Sequence, residues 1–428
     1  MTGRDTTRPT RRAYLRASAI VGGGLLAGCV GSSGNANSDA ENGSQDGGNS
    51  SVNADNTSGG SASDGAGTNA DTNATAGGSG SYTATMAPMG DVEFDSVPQS
   101  AFVIFPQYAD MAVALGHGDA VNSVYVPEMS GTTMNHYYDR LDGVSFDWQG
   151  LPDPLSDGLA KEQLYSLGSD VHLADPAHAA TNDDWSQADV EEVGANVAPW
   201  FGNFYSGTHA EPPASYRDSY QYYGLWELFG KVAQVFQEHQ RYEALASVHR
   251  NLRSTIEDRL PPKNERPTAV RVTLSEGSFY TYHLNKPGYW LADTRPLGAN
   301  DAFADEDWSD LWGTVGYETM LEADPDVILH LWGLTPNYDM AAVRSQLADH
   351  AVGSQLSAVQ NDRVYPAGMR YQGPIMNLFQ LEMGAKQLYP EQFGEWPEYT
   401  DGNPYPEIPG DEQLFDRDRV ARIVTGDR

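Results

Sequence analysis

Arg370 and Tyr371 are neighbours in the run Gly368-Met369-Arg370-Tyr371-Gln372, which sets a planar, permanently charged guanidinium beside a phenol. The fork suits bidentate recognition of carboxylate or phosphate, and the ring adds a rigid amphipathic surface. Other aromatic and amide side chains stand where apolar runs give out: Gln107 and Tyr108 after Ala101 to Phe105, Tyr125, Trp200 before Phe201, Tyr280 closing Ser275 to Tyr280, and Trp332 after Val327 to Leu331. Any one of them fits burial in a core as well as contact with a ligand. Their recurrence at one kind of position makes the set a candidate binding site. Tyr280, Tyr282 and His283 could ligate a ferric ion directly, although the same spacing is an ordinary half-buried strand, and that reading is preferred. None of the ten histidines stands at the first break, Phe105-Pro106-Gln107-Tyr108, so no protein-held metal or resident cofactor is expected. The chain also lacks a Gly-x-Ser-x-Gly elbow, a His-Glu-x-x-His helix and a Gly-x-x-x-x-Gly-Lys phosphate loop, leaving no catalytic residues to assign.

A second pattern is a repeat. Residues 162 to 175 read EQLYSLGSDVHLAD and residues 318 to 331 read ETMLEADPDVILHL, an offset of 156 (318 minus 162). In both copies a Glu opens a short apolar-spaced helix, a Gly or Pro breaks it, and Asp-Val enters an aliphatic run, giving helix, break and buried strand twice.

The elements that must position these residues alternate. An alternating stretch from Tyr82 to Phe94 precedes strand 101 to 105 and a helix ending at Gly116. Short strands follow at Val121 to Val126, Val171 to Ala174 and Val197 to Ala198. From Leu225 to Leu260 apolar residues recur at three or four, predicting one long amphipathic helix. The alternation then restarts with strands at 269 to 274, 327 to 331 and 364 to 365 and a helix from Ile375 to Tyr389, entered through Pro374. The expected fold class is α/β: two βα lobes with mostly parallel sheets, joined by one long α-helix, with a ligand cleft between them at the carboxyl ends of the strands. Residues 82–224 form the first lobe, 225–262 the interlobe helix region and 263–428 the second lobe.

Ahead of the lobes, Arg11-Arg12 within Thr10 to Arg16 and the following apolar run read as a twin-arginine export signal, 1–28. Leu26-Ala27-Gly28-Cys29 marks Cys29, the only cysteine, as the lipid-anchored residue of a lipoprotein and excludes a disulfide framework. Residues 29–81 are Gly, Ser, Asn, Asp, Ala and Thr with almost nothing to bury, a flexible tether. A formal net charge of −33, from 59 acidic and 26 basic residues, speaks against nucleic acid or an anionic membrane surface as a partner. It resembles the charge of halophilic proteins, with acidic clusters such as Asp301 to Asp307 read as a solvated face.

The tethered Cys29, the segment FVIFPQYADMAVALG, the paired Glu-to-Asp-Val segments, the single long helix and the closing GAKQLYPEQF together resemble the helical-backbone solute-binding proteins of ABC importers, here of halophilic archaeal type, from Tyr82 to about Phe393. The resemblance implies an exported, lipid-anchored, monomeric receptor on the outer face of the membrane. Its ligand would be a ferric siderophore-type chelate, or cobalamin or haem, and its partner a permease dimer with its ATPase; an extracellular enzyme is the remaining alternative. It further implies that Glu162 and Glu318 dock on the permease, that the strand-exit residues line the cleft, and that opening motions are small. The chain departs from the family at Gly168-Ser169-Asp170, at His172, in the longer span from Glu128 to Ala160, and in the tail from Gly394 to Arg428.

Overall fold

The computed structural model describes residues 80–182, 184–308, 311–397 and 404–426. The export signal, Cys29 and the tether up to residue 79 lie outside the described residues.

The first lobe opens with a hairpin, β1 (Tyr82–Met86) against β2 (Gly90–Phe94), whose alternation buries Ala84, Met86 and Phe94. Strands β3 (Ala101–Val103) and β4 (Val171–Leu173) pair in parallel. Single bridges, Ala101 with Val121 and His172 with Trp200, extend this pair on both sides. Full strands were expected at both flanks. On one, the Ser123 hydroxyl takes both polar groups of Val103, accepting from its N–H at 3.0 Å and donating to its carbonyl at 2.8 Å, so a side chain replaces the ladder. On the other, Pro199 has no N–H to contribute. Helices α1 (Pro106–Ala114), α2 (Pro127–Tyr138) and α4 (Pro176–Ala179) begin at proline, where the missing donor costs nothing; α3 (Lys161–Leu167) and α5 (Gln187–Asn196) complete the lobe.

The segment expected to be a single helix is two, α6 (Leu225–Val235) and α7 (His239–Arg259). Phe236 is buried and stacks on His117 at 4.6 Å, while Gln237 turns to φ 54°. Anchoring that ring in the first lobe overrides the helical periodicity, and the long helix that leads into the second lobe is α7 alone.

The second lobe holds a six-stranded sheet: β5 (Thr268–Ser275), β6 (Ser278–Tyr282), β7 (Asn300–Asp301), β8 (Trp312–Val315), β9 (Val327–His330) and β10 (Val364–Pro366), in order β10-β9-β5-β6-β8 with β7 against β5. The pairs β10–β9, β9–β5 and β5–β7 are parallel, whereas β6 and β8 extend the sheet antiparallel. Both turn residues between β5 and β6, Glu276 and Gly277, have positive φ (50° and 80°), which suits a two-residue hairpin. Helices α8 (Tyr317–Ala323), α9 (Met340–Asp349) and α10 (Ser357–Gln360) cover one face, where Val270, Val272, Leu274, Ile328, Met320 and Leu347 form a separate core. The repeat is structural: α3 and α8 have the same length and offset, each ends in a left-handed residue, Gly168 or Asp324, and each feeds a parallel strand, β4 or β9.

Helix α11 (Pro374–Leu388) is buried along its whole length; α12 (Pro390–Phe393) follows it, and α13 (Arg417–Thr425) packs on α7. Asp110 in α1 accepts hydrogen bonds from the N–H groups of Ile375 and Met376 at 2.9 and 3.3 Å and from the Tyr138 hydroxyl, so the first lobe caps this helix. Midway along, Glu382 accepts from the Tyr405 hydroxyl (2.8 Å), the Leu414 N–H (2.6 Å) and Arg417 (2.6 Å). The tail from Gly394 thus closes over α11.

Two predictions follow from these buried carboxyls. Burial lifts Asp110 to about 7, against the pull of its three donors; the folded state then holds a proton that the unfolded chain releases near pH 4, so the contribution of this group to stability is greatest at acid pH and falls between about pH 4 and 7. Asp110→Asn, which stays neutral, should lack this contribution, and the unfolding free-energy advantage of the native chain over it should shrink by an amount on the order of a few kcal/mol across that window; a constant difference would refute the assignment. Glu382→Ala leaves Arg417 buried without its carboxylate and should cost about 3 to 5 kcal/mol in denaturant unfolding.

Candidate ligand cleft

Arg370 lies beyond the end of β10 with 6% of its surface exposed, at the seam between the lobes. Its guanidinium carbon sits 4.5 Å from the ring centre of Trp290, 4.9 Å from Tyr371, 5.7 Å from Trp332 and 6.0 Å from Tyr282. It donates to the Tyr371 hydroxyl at 2.9 Å. Burial alone would weaken the charge, but the phenols of Tyr371 and Tyr282 outweigh it and hold the group above its usual range. A guanidinium surrounded by π faces is attracted to them electrostatically, most strongly where water is excluded.

Tyr371 carries the cluster across the seam. Its ring lies 4.9 Å from Phe105 and 6.2 Å from Tyr125 of the first lobe, and 5.3 Å from Trp290 and 5.7 Å from Trp332 of the second. Behind Phe105, Phe204 stacks at 4.9 Å and His178 meets Phe204 at 4.2 Å. His178 is buried, its Nδ1 has no partner, and burial holds its pKa down to about 4, so the ring is neutral at pH 7. The floor of this side is Asp175, which accepts from the Ala177 N–H (2.8 Å), the Phe204 N–H (2.7 Å) and the Tyr220 hydroxyl (2.5 Å) and is raised by burial to about 6.

Trp332 reaches the cluster through its backbone. Its φ of 70° is left-handed, a region a bulky residue rarely adopts, and its N–H donates to the Gly368 carbonyl at 3.0 Å. Backbone strain of this kind, held by neighbouring strand ends, is characteristic of functional sites.

Of the residues selected from sequence, Tyr125, Trp332, Arg370 and Tyr371 come together here. Gln107 and Tyr108 lie in the first turn of α1 rather than in a loop. Gln107 Nε2 donates to the Tyr289 hydroxyl at 3.1 Å across the seam, while Tyr108 turns to Asn203, accepting from its N–H at 2.6 Å. Tyr280 is one step removed: its ring is 5.9 Å from Trp312, which is 6.4 Å from Tyr282. Trp200 stands apart. It donates to the Val190 carbonyl at 2.9 Å and packs on His172 and Trp185, because its strand bridge points it at α5. His283 bonds Asp301 at 3.3 Å and packs on Trp308 at 4.7 Å, whereas Tyr280 and Tyr282 both pack on Trp312. Asp301 therefore belongs to no solvated face; it also accepts from the N–H of Leu284 at 2.9 Å. Among the described residues no group of three or more His, Cys, Asp or Glu is arranged to hold a metal ion.

Sequence reading missed Phe105, His178, Phe204 and Trp290, and it preferred a strand role for Tyr282 over ferric ligation. Phe105 ends the first apolar run, and Trp290 follows the break Lys286-Pro287-Gly288, so a signal existed; nothing in the sequence marks His178 or Phe204.

A family model, that of the periplasmic binding proteins, matches residues 103–371. No curated protein matches the chain. A periplasmic binding protein from Veillonella parvula superposes with a TM-score of 0.52 and 15% identity, over 73% of this chain and 99% of that one. The Mycobacterium smegmatis periplasmic solute binding protein gives 0.50 and 17%, over 72% and 98%. Helicobacter pylori Ceue, solved with Ni(II) bound, gives 0.50 and 14%, over 73% and 90%. Identities this low speak to fold alone. The fold, the seam between two βα lobes and the family match over most of the chain agree: this chain belongs to the periplasmic binding protein family.

Proposed function

We propose that the protein is the extracytoplasmic receptor of an ABC importer, lipid-anchored through Cys29 after twin-arginine export, and that it captures an anionic, partly planar metal chelate of the ferric siderophore class. The carrying observation is the guanidinium of Arg370, set among four rings of the second lobe, one of which, Tyr371, meets Phe105 of the first lobe at the seam. A charged fork matches the oxygens of an anionic chelate, and the rings match its faces. Cobalamin or haem would use the same rings, with the fork meeting a phosphate or propionate. Binding rather than turnover is the role, in keeping with the family. Native mass spectrometry with metal analysis, after incubation with a ferric trihydroxamate, a ferric tris-catecholate, cyanocobalamin or haemin, separates these ligands; retention of none would overturn the reading.

Glu162 and Glu318 are exposed in the first turns of α3 and α8. Their equal placement in the two copies supports a pair of docking carboxylates facing a two-fold permease. The bland alternative is that each only complements its helix dipole.

Two outcomes are expected. Arg370→Ala and Trp332→Ala should each weaken binding of the retained chelate by roughly tenfold or more while unfolding stays cooperative; equal loss of binding and thermal stability would make them core residues. Glu162→Ala and Glu318→Ala should leave that affinity unchanged but lower uptake, each by roughly tenfold at a partly desolvated interface, and the double Lys variant should lower it further. Normal uptake by the double Lys variant would return both to the dipole role.

A further inference from the structure

We infer that the segments around Ser206-Gly207 and Gly288-Tyr289-Trp290 form a gate over Arg370, opened by breaking a thin backbone clasp between the lobes; this rests on reading the Arg370 cluster as the ligand site. The N–H of Tyr289 donates to the Ser206 carbonyl and that of Trp290 to the Gly207 carbonyl, both at 3.0 Å. The approach is too close for side chains. A Cβ on Gly288 would lie 2.3 Å from the Gly207 oxygen, and one on Gly207 would lie 2.4 Å from the Trp290 Nε1.

Each half is braced on its own lobe more firmly than on the other. On the first lobe, Asn203 bonds Tyr108, the Phe204 N–H bonds Asp175 at 2.7 Å, and the Ser206 hydroxyl accepts from the Tyr223 N–H at 2.8 Å. On the second, Arg271 donates to the Trp290 carbonyl at 3.3 Å and Arg295 to the carbonyls of Lys286 and Gly288 at 3.0 and 2.9 Å. Between the halves stand the two backbone bonds, the Gln107 to Tyr289 bond, and the edge contact of Phe204 with Trp290 at 5.6 Å. Loss of a few bonds therefore separates the halves without dismantling either. Trp290 is also the ring nearest the Arg370 guanidinium, so the same movement uncovers the charge. The clasp is a latch whose inner faces, Phe204 and Trp290, are wall residues of the site.

The test needs no ligand. Hydrogen exchange of the native protein, followed by mass spectrometry, should show the Tyr289 and Trp290 amides opening at least about tenfold faster than those of β5, as a local rather than global event. Gly207→Ala, at a position whose backbone tolerates a side chain, should speed these amides further. It should also raise the rate at which phenylglyoxal modifies Arg370 at least about tenfold, leaving Arg417, equally buried beneath the tail, unchanged. Amides that exchange only together with β5 would make the clasp core structure. Loosened amides with an unchanged Arg370 rate would show that the clasp does not cover the site, and a parallel rise at Arg417 would mean general destabilisation; each overturns the gate. Failure of the chelates to bind, with these results intact, would remove the ligand reading and leave the opening motion standing.

Discussion

Helix α11 is buried along all 15 of its residues, and most of the interlobe architecture answers the demands that this burial makes. A buried helix needs partners for its first N–H groups, and an unmade bond to a polar side chain is expensive there; most of these groups are satisfied, although both polar side-chain atoms of Gln380 have no partner among the described residues. Asp110 supplies the amino-terminal acceptor from the first lobe. Asn377 bonds Trp226 of α6 at 3.0 Å and Gln372 at 2.8 Å; Gln372 bonds Asp293 at 3.0 Å, and Asp293 holds Arg271 of β5 at 3.1 Å. One chain of bonds thus runs from the second sheet, past the amino end of α11, to the helix that precedes the interlobe helix. The tail answers the same demand further along, bringing Tyr405, Leu414 and Arg417 to Glu382.

This seam is well suited to small, defined movements. The lobes share one hydrophobic core, and the buried pairs Arg271–Asp293 and Arg417–Glu382 lie beside it, so large separation would expose both apolar area and desolvated charge. The clasp at Gly207 and Gly288 is different, since its bonds are few and the loops carrying it are fastened separately to their own lobes. Rigidity is concentrated at α11 and compliance at the clasp, beside the aromatic cluster.

The span after Glu128 and the tail from Gly394 pack on the core around α11. Residues in the long span after Glu128 give α2, whose Tyr138 bonds Asp110 and whose Tyr137 packs on Phe379 and Tyr405 at 5.6 and 5.5 Å. Span and tail, separate in sequence, meet on α11.

Periodicity alone determined the α/β class, the positions of β3, β4, β5, β9 and β10, and the duplicated helix-and-strand unit, because alternation and proline-initiated helices are local properties. It also brought Arg370, Tyr371, Tyr125 and Trp332 forward, since strand exits can be read from where apolar runs end. Tertiary structure decided the rest. The break at Gln237 depends on Phe236 meeting His117, and the Asp301 side chain is buried only because His283 and the Leu284 amide arrive beside it. Trp200 was assigned to the cleft by its place after a strand, yet the bridge to His172 turns it toward α5. Phe204 and Trp290 come together only through the bonds between Ser206, Gly207, Tyr289 and Trp290, a contact across more than 80 residues that no local pattern encodes. Local sequence determines which way a side chain alternates; what it faces is set by segments far away in the chain, which only the packed lobes bring together.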